Sequence, residues 1–183
     1  MVAAVIGADW FLVRYPGGHV WLILIGLLFF LPGRISAFWL KDLYRCRRFY
    51  DLERYPEAID SGNRFLKTLE SEPWRRKLIY LTWSLYTWNV EAMTRNNLGA
   101  SFMMSGKFDP ARQELAAAIA LDPGYALPFA NLAAIEAAVG NHSESKRLTL
   151  IAEKNGYSGT KAEKLADRVS AVYAQIQTAS LNP

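Results

Sequence analysis

The sequence predicts an all-α protein in which one N-terminal membrane-anchoring helix precedes a short solenoid of paired helices and a C-terminal capping helix. Three observations support this prediction. The run Val20–Leu31 carries no charge. Residues of similar type recur at a constant spacing in the second half of the chain. Between Thr160 and Ser180, apolar residues follow i, i+3, i+4 spacing with charged residues off the stripe, which is typical of an amphipathic helix.

The uncharged run is shorter than a bilayer requires, because it has 12 residues where a span needs about 20. We therefore expect a longer helix, from about His19 to Leu40, that reaches the headgroups at Arg34 and is kinked by Pro32. Two tryptophans stand near its expected interfaces: Trp21 and Trp39.

Three alternatives to this anchor remain open at the sequence level. A helix from about Asp9 to Leu31 would have to accommodate Arg14 and Pro16. A signal peptide cleaved near Ala37 lacks the basic segment that normally precedes the apolar run. A buried core helix of a soluble protein would also suit the short run. We favour the anchor, with residues 1–40 as the N-terminal segment and 41–183 as a helical domain.

Basic residues crowd together just after the apolar run and are opposed only by Asp42. Such an excess is typical of the cytoplasmic flank of a membrane span, so we predict a single-pass protein with a cytoplasmic C-terminal domain. No aromatic and basic nucleic-acid motif accompanies the charges, and no nucleic-acid partner is expected. The residues predicted to contact lipid headgroups are Arg34, Lys41, Arg45, Arg47 and Arg48.

The second half of the chain contains a repeat. Asn97-Leu98 recurs as Asn131-Leu132, and Gly106 recurs as Gly140, so that 131 − 97 = 34 and 140 − 106 = 34. This spacing resembles that of the tetratricopeptide repeat (TPR), a pair of antiparallel helices with a period of about 34 residues. The resemblance implies repeats at 92–125 and 126–159, followed by a capping helix at 160–180.

The packing positions of the TPR family are well matched in the first repeat, although Arg95 stands where the family has a large aromatic residue. Small residues there permit close helix approach, and Gly106 supplies the backbone freedom of a tight turn. A degenerate copy at 39–72 lies 53 positions earlier, since 111 − 58 = 53, which leaves an aromatic insert at 73–91. The matched positions of the first repeat are Leu98, Gly99, Phe102, Ala111, Leu115, Ala118 and Pro123.

The insert contains an uncharged stretch from Leu78 to Val90, in which we expect a helix. This helix is either buried between the first copy and the later ones, or it faces a membrane interface or a protein partner. In the second case the triplet Arg75-Arg76-Lys77 would face lipid phosphates. The aromatic residues of the stretch that would make the contacts include Trp83, Tyr86 and Trp88.

In the TPR family, the first helices of successive repeats line a concave groove that binds an extended peptide or a partner helix. The resemblance places Asn97 and Asn131 where they could hydrogen-bond a ligand backbone, beside adaptable methionines. The implied groove residues are Met93, Asn96, Asn97, Ala100, Met103, Met104, Leu127, Ala130, Asn131, Ala134, Ala137 and Ala138.

Residues that support catalysis are scarce. His19 and His142 lie far apart in the pattern, and Cys46 is the single cysteine, so a metal site lacks ligands. No phosphate-binding loop or nucleophile elbow is present. We therefore expect no enzymatic activity, no cofactor, no catalytic residue and no small-molecule substrate. Cys46 is expected to be a packed thiol, with palmitoylation as the alternative.

These features together predict a membrane-tethered scaffold for protein–protein interaction. The expected partner is a membrane protein complex, of which the chain would be an accessory subunit or an assembly factor, and membrane lipids are the second expected partner. Two alternatives remain: a periplasmic peptide-binding TPR protein made with a signal peptide, and a lipid-associated protein that uses the aromatic stretch 78–90.

Overall fold

A computed structural model describes residues 18–82 and 87–181, and every regular element within these ranges is helical. The prediction of an all-α protein is confirmed. The elements are α1 Gly18–Trp39, α2 Lys41–Asp51, α3 Tyr55–Ser71, a 3₁₀ segment Pro73–Leu81, α4 Val90–Met104, α5 Phe108–Leu121, α6 Ala126–Ala138, α7 His142–Lys154 and α8 Gly159–Leu181.

Helix α1 projects from a bundle formed by the other elements. It continues through Pro32, and the sharp bend comes at Leu40, where the axis of α2 turns by 78° from that of Ile23–Trp39. The bend lies there because the Leu40 side chain is fully buried in the core of the bundle. Within the described ranges, no single helix is both long and apolar enough to cross a membrane, whereas this bent pair passes on length and composition.

Helices α2 to α7 form three hairpins, α2 with α3, α4 with α5 and α6 with α7, and each hairpin packs against the next. The helix bounds recur along the chain. Between the last two hairpins, the starts of the second helices differ by 142 − 108 = 34 positions, and the ends of the first helices differ by 138 − 104 = 34 positions. The same two differences between the first and second hairpins are both 53 (108 − 55 and 104 − 51).

The turns of the last two hairpins each contain an equivalent backbone hydrogen bond, and the two bonds are separated by the same spacing. The Lys107 N–H donates to the Phe102 carbonyl over 2.9 Å, and the Asn141 N–H donates to the Glu136 carbonyl over 2.8 Å. The chain reverses in each turn at a glycine with positive φ, +74° at Gly106, which confirms its predicted role.

Close approach of α4 and α5 depends on Gly99. A Cβ atom at this position would lie 2.6 Å from Leu115 Cγ and 3.2 Å from the Ala111 carbonyl oxygen. Leu115 and Ala111 are themselves fully buried. The predicted packing of small residues in α4 against α5 is therefore confirmed, since any side chain at Gly99 would push the helices apart.

The core is a chain of clusters rather than one centre. The first cluster joins α2, α3, the 3₁₀ segment and the start of α4. The second joins α4, α5, α6 and α8 around Met103, Leu115 and Val169. The third lies between α6 and α7. This succession means that each hairpin obtains part of its buried surface from its neighbour.

Helix α8 packs along α6 and reaches the turns of the earlier hairpins. Val169 is fully buried against the second cluster. The Arg168 guanidinium forms an ion pair of 2.9 Å with Glu53, in the turn between α2 and α3. Ile176 lies over the Gly106 turn. The apolar stripe of α8 therefore covers the side of the bundle on which the hairpins meet.

We predict that Gly106→Ala destabilises the fold more than Gly140→Ala. Both glycines have positive φ, so each alanine should cost roughly 1–2 kcal/mol in backbone strain. Only at Gly106 would the added Cβ also clash with the Ile176 Cδ1 atom, whereas nothing lies within 4 Å at Gly140. Thermal unfolding of the detergent-solubilised chain, followed by circular dichroism, measures both. The addition of Ile176→Ala should rescue part of the Gly106→Ala defect, and equal losses at the two glycines would contradict this packing of α8.

Candidate functional site

Most residues of the predicted groove lie inside the bundle. Helix α4 contacts α2, α3, α5, α6, α8 and the 3₁₀ segment, so little of its surface is free. Met93 and Leu127 are half-buried. Partner binding at this surface stays a prediction, because the same side chains are used for packing in this structure. The buried members of the set are Asn96, Asn97, Ala100, Met103, Met104, Ala130, Asn131 and Ala134.

The inner end of the predicted groove is filled by α8 and by the first hairpin. Met103 and Met104 belong to the core cluster that contains Val169. Two tyrosines of the first hairpin, Tyr50 and Tyr55, pack against the same cluster. The repeat spacing did not reveal this arrangement, since it depends on the path of α8 across the bundle and not on a local pattern.

A buried hydrogen bond joins the first helices of the two clear repeats. The Asn131 Nδ2 donates to Asn96 Oδ1 over 2.9 Å, across 35 positions of sequence. Asn97 is as buried as Asn131, at 7% exposure each, yet its side chain forms no hydrogen bond with the described residues. Asn131 therefore has a structural partner, and the Asn97 amide is the group of this pair that a ligand could still use.

The helix expected over Leu78–Val90 is present only at its start, as the last four residues of the 3₁₀ segment, and the prediction is wrong for Thr82 and for residues 87–89. The 3₁₀ segment ends at Leu81, Thr82 is extended, and α4 begins only at Val90. Threonine and the bulky aromatic residues of the insert favour extended backbone. The Asn89 side chain then caps α4 by accepting hydrogen bonds of 3.1 Å from two backbone N–H groups. The candidate contact residues Trp83 and Tyr86 lie outside the described residues.

Each of the two interpretations of the insert applies to some of its side chains. Leu78 and Ile79 are buried in the first core cluster. Tyr80 and Trp88 are exposed, and their rings stack with centroids 6.0 Å apart and planes at 20°. The described part of the insert is therefore anchored on one side and presents aromatic rings on the other.

An arginine clamp joins the insert to the end of α1. Arg75 forms a two-pronged ion pair with Glu72, with distances of 2.8 and 3.0 Å. Its Nη1 also donates to the Trp39 carbonyl over 3.0 Å, and the guanidinium lies 4.7 Å from the centre of the Trp39 ring. Trp39 in turn meets Trp74 edge-on at 5.1 Å. The clamp holds the foot of α1 against the 3₁₀ segment.

The expectation that three basic residues of the insert face lipid phosphates fits only one of them. Arg75 is engaged in the clamp. Arg76 pairs with Glu91 over 3.1 Å and donates to the Leu69 carbonyl over 3.0 Å. Lys77 is exposed and forms no ion pair within the described ranges. Two of the three charges therefore stabilise the fold.

Helix α2 presents the predicted headgroup residues on its outer surface. Leu43 and Cys46 face the bundle, whereas the basic side chains are exposed. Arg45 and Arg47 pair with acidic residues of the same helix, and such exposed pairs are weak. The predicted headgroup residues that form no ion pair with another described residue are Arg34, Lys41 and Arg48.

The one cysteine is enclosed. Cys46 is fully buried, and desolvation by this burial raises the pKa of its thiol from 9.0 to about 12, against the smaller opposing effect of Arg47. The thiolate is the reactive form, so this environment disfavours acylation of Cys46. Within the parts of the chain that the structure describes, no group of three metal-ligating side chains could hold an ion.

We predict that alanine substitutions at two equally buried asparagines have different effects on the free energy of unfolding. Asn131→Ala removes the donor to Asn96 and should cost about 1–3 kcal/mol, because the Asn96 carbonyl oxygen is then buried without a partner. Asn97→Ala removes an amide that lacks a partner and should leave stability unchanged or slightly raised. Thermal unfolding of the two variants measures this. Equal destabilisation would contradict the separate roles assigned to the two amides.

We also predict that Cys46 is unreactive in the folded chain. At pH 9, an unperturbed thiol is about half ionised, whereas a thiol of pKa about 12 carries almost no thiolate. A chromogenic disulfide reagent should label the detergent-solubilised chain only after denaturant is added. A single cysteine placed by Leu150→Cys in a Cys46→Ala background provides an exposed control. Rapid labelling of Cys46 without denaturant would refute its burial.

No family model, curated protein or solved structure matches this chain. The resemblance to the TPR family therefore rests on the residues that recur in the sequence repeat, and it remains a prediction. The recurrence of helix bounds at the spacing of the sequence repeat supports it.

Proposed function

We propose that this chain is a membrane-tethered scaffold, in which α1 anchors a short TPR-like solenoid that binds a protein of a membrane complex. The observation that carries the proposal is the apolar surface of α1, which the rest of the described chain leaves uncovered. In this proposal the chain acts on that membrane complex as an accessory subunit or as an assembly factor.

Between Val20 and Leu31, the exposed apolar surface of α1 extends around the whole helix. Neighbouring residues along a helix point in directions about 100° apart, so exposed apolar neighbours cover every face. A helix that is apolar on all sides belongs in a protein core or in a membrane. The exposed apolar residues of α1 include Val20, Trp21, Ile23, Leu24, Ile25, Leu27, Leu28, Phe30, Leu31, Ile35 and Phe38.

The whole of α1 is needed for a crossing. Its 22 residues rise roughly 33 Å, close to the hydrocarbon thickness of a bilayer, whereas Val20–Leu31 alone is too short. Taken alone, α1 does not meet the combined criteria of length and apolar composition, so the proposal relies on the start of α2 to complete the passage through the headgroups. Arg34 is exposed near the end of the helix, where its side chain can reach the headgroups. In this proposal α2 lies outside the hydrocarbon, because six of its 11 residues are charged. The basic excess at this end favours a cytoplasmic bundle.

The end of α1 supports an uncleaved anchor over a signal peptide. Ala37 lies inside α1, and the side chains on either side of it at Ser36 and Leu40 are buried against the bundle. Cleavage near Ala37 would also remove or expose the Trp39 carbonyl that Arg75 binds. An anchor that remains attached keeps these contacts.

The scaffold part of the proposal rests on the hairpins. Helix bounds that recur at the spacing of the sequence repeat, a shared turn hydrogen bond and packing of each hairpin on the next are what a TPR-like solenoid requires. The half-buried Met93, Leu127, Ala137 and Ala138 are the groove residues that a partner could reach with the least rearrangement. The Asn97 amide is buried, but it forms no hydrogen bond with the described residues.

We predict that the double substitution Leu27→Arg/Leu28→Arg releases the chain from membranes. Both residues are exposed, so the bundle should fold normally, while each arginine at a helix centre costs about 2.5–3.5 kcal/mol on insertion. Alkaline extraction of membranes followed by immunoblotting measures the change. The matched control is Leu150→Arg, because Leu150 is also an exposed leucine, with 57% of its surface accessible, and lies on α7. Release of the unsubstituted chain by alkali would overturn the anchor.

Gentle solubilisation tests the partner. We predict that the full chain co-purifies in fixed stoichiometry with other membrane proteins, and that Asn97→Ala weakens this association without loss of thermal stability. Mass spectrometry of the purified material identifies the partners, and a quantitative comparison of the two preparations measures the loss. Purification as a lone monomer under several mild detergents would contradict the subunit role.

A further inference from the structure

A second surface for membranes lies beside the foot of α1. We name it the aromatic platform and define it as Trp74, Tyr80 and Trp88, three exposed rings of the insert. The inner side of the 3₁₀ segment is fixed by Leu78 and Ile79 in the first core cluster. The platform is therefore held on a rigid base and presents its rings outward.

The platform is continuous with the apolar surface of α1. Leu81, at the end of the 3₁₀ segment, and the leucine-rich face of α1 line an open groove of about 280 Å³. At the other end of the segment, Trp74 contacts Trp39, the last residue of α1. The segment thus runs beside the lower half of α1. The groove is lined by Leu24, Leu27, Leu28, Leu31, Ile35 and Leu81.

Geometry and chemistry together favour lipid as the occupant of this surface. A groove of which one wall is a membrane-spanning helix opens towards the acyl chains that surround that helix. Tryptophan and tyrosine are enriched where an apolar layer meets water, because each ring has an apolar body and a polar group. Tyr80 and Trp88 stack on each other and still expose 69% and 57% of their surfaces.

Exposed basic side chains of the 3₁₀ segment and of α2 are complementary to anionic lipids. Lys77 stands in the same 3₁₀ segment and is exposed, and Lys41 and Arg48 are exposed on α2. None of these three forms an ion pair with another described residue, in contrast to Arg75 and Arg76. Free basic side chains around an apolar surface are the usual means of attracting a membrane with negative headgroups.

The geometry points to the aromatic platform as a second membrane contact, which inserts at the headgroup level while Lys41, Arg48 and Lys77 contact anionic phosphates. Acyl chains cover the groove between α1 and Leu81. This inference rests on the proposed anchoring of α1 and adds to it a fixed orientation, because a helix and a platform together prevent the bundle from rotating about a single tether.

The test places an environment-sensitive fluorophore at single cysteines of the full chain. In a Cys46→Ala background, Tyr80→Cys and Trp88→Cys probe the platform, and Leu28→Cys probes the anchor. Leu150→Cys is the control, since Leu150 and Trp88 have the same exposed fraction, 57%. Each labelled chain is reconstituted in vesicles of phosphatidylcholine and phosphatidylglycerol, and quenching by lipids with shallow or deep nitroxides is compared with quenching by aqueous iodide.

We expect the labels at positions 80 and 88 to be quenched more strongly by shallow than by deep nitroxides and to be shielded from iodide. The label at position 150 should be quenched by iodide alone. If position 28 is quenched by deep nitroxides while positions 80 and 88 respond as position 150 does, the platform is refuted and the anchor stands. If position 28 also responds as position 150 does, both proposals fail.

A charge variant supplies an independent measurement. Lys41→Gln/Arg48→Gln/Lys77→Gln in the Trp88→Cys chain should reduce shallow quenching in vesicles that contain phosphatidylglycerol. It should have little effect in vesicles of phosphatidylcholine alone. Circular dichroism confirms that the bundle is folded in each variant. Equal quenching of the charged and neutralised chains in both vesicle types would overturn the assignment of these residues to anionic headgroups.

Discussion

The direction in which α1 leaves the bundle is set by the contact between Arg75 and Trp39. The Trp39 carbonyl is at the C-terminal end of α1, where the helix carries partial negative charge, and it receives a hydrogen bond from a guanidinium that is itself held by Glu72. Leu40 then enters the core directly after this carbonyl. A long apolar helix that ended in a flexible link would leave the bundle free to tumble. Here the last peptide of the helix is bonded to a segment that is packed against the first hairpin, so the end of the helix is held against the bundle.

The substitution of Arg95 for the expected aromatic residue has a related cause. Arg95 pairs with Glu91 on its own helix and with Glu114 on α5, at 3.1 and 3.0 Å, and Glu91 also accepts hydrogen bonds from Arg76 of the insert. These groups are partly buried, so their ion pairs are less screened than surface pairs. An aromatic ring at this position would fill space between two helices. The arginine instead connects α4 with α5 and, through Glu91, with the insert. The arginine at this position is therefore part of the ion-pair network that connects the insert with α4 and α5.

Features governed by local rules could be predicted from the sequence, and features governed by long-range packing could not. The turn at Gly106, the close approach at Gly99 and the apolar stripe of α8 follow from backbone conformation, side-chain volume and helical periodicity. The burial of Met103 under α8 depends on how far α8 runs back across the bundle, and the bond between Asn96 and Asn131 depends on how α4 packs against α6. No residue spacing is a signal for either. The expected helix at Leu78–Val90 stops at Leu81 for another reason. An uncharged run suits a buried helix or an extended segment equally, and the threonines and Asn89 were the overlooked indication of the second.

Burial also decides which surface can act without rearrangement. For a ligand to occupy the inner end of the groove, α8 must move, which breaks the exposed Arg168–Glu53 pair and uncovers Val169. The ion pair contributes at most about 1 kcal/mol, but exposure of one buried valine costs about 1.5–3 kcal/mol, and its neighbours along α8 add to that. The aromatic platform requires no such change, because its rings are already exposed on a base that is fixed by the core. A partner that displaced α8 would have to supply the free energy of that displacement from its own contacts with α4 and α6.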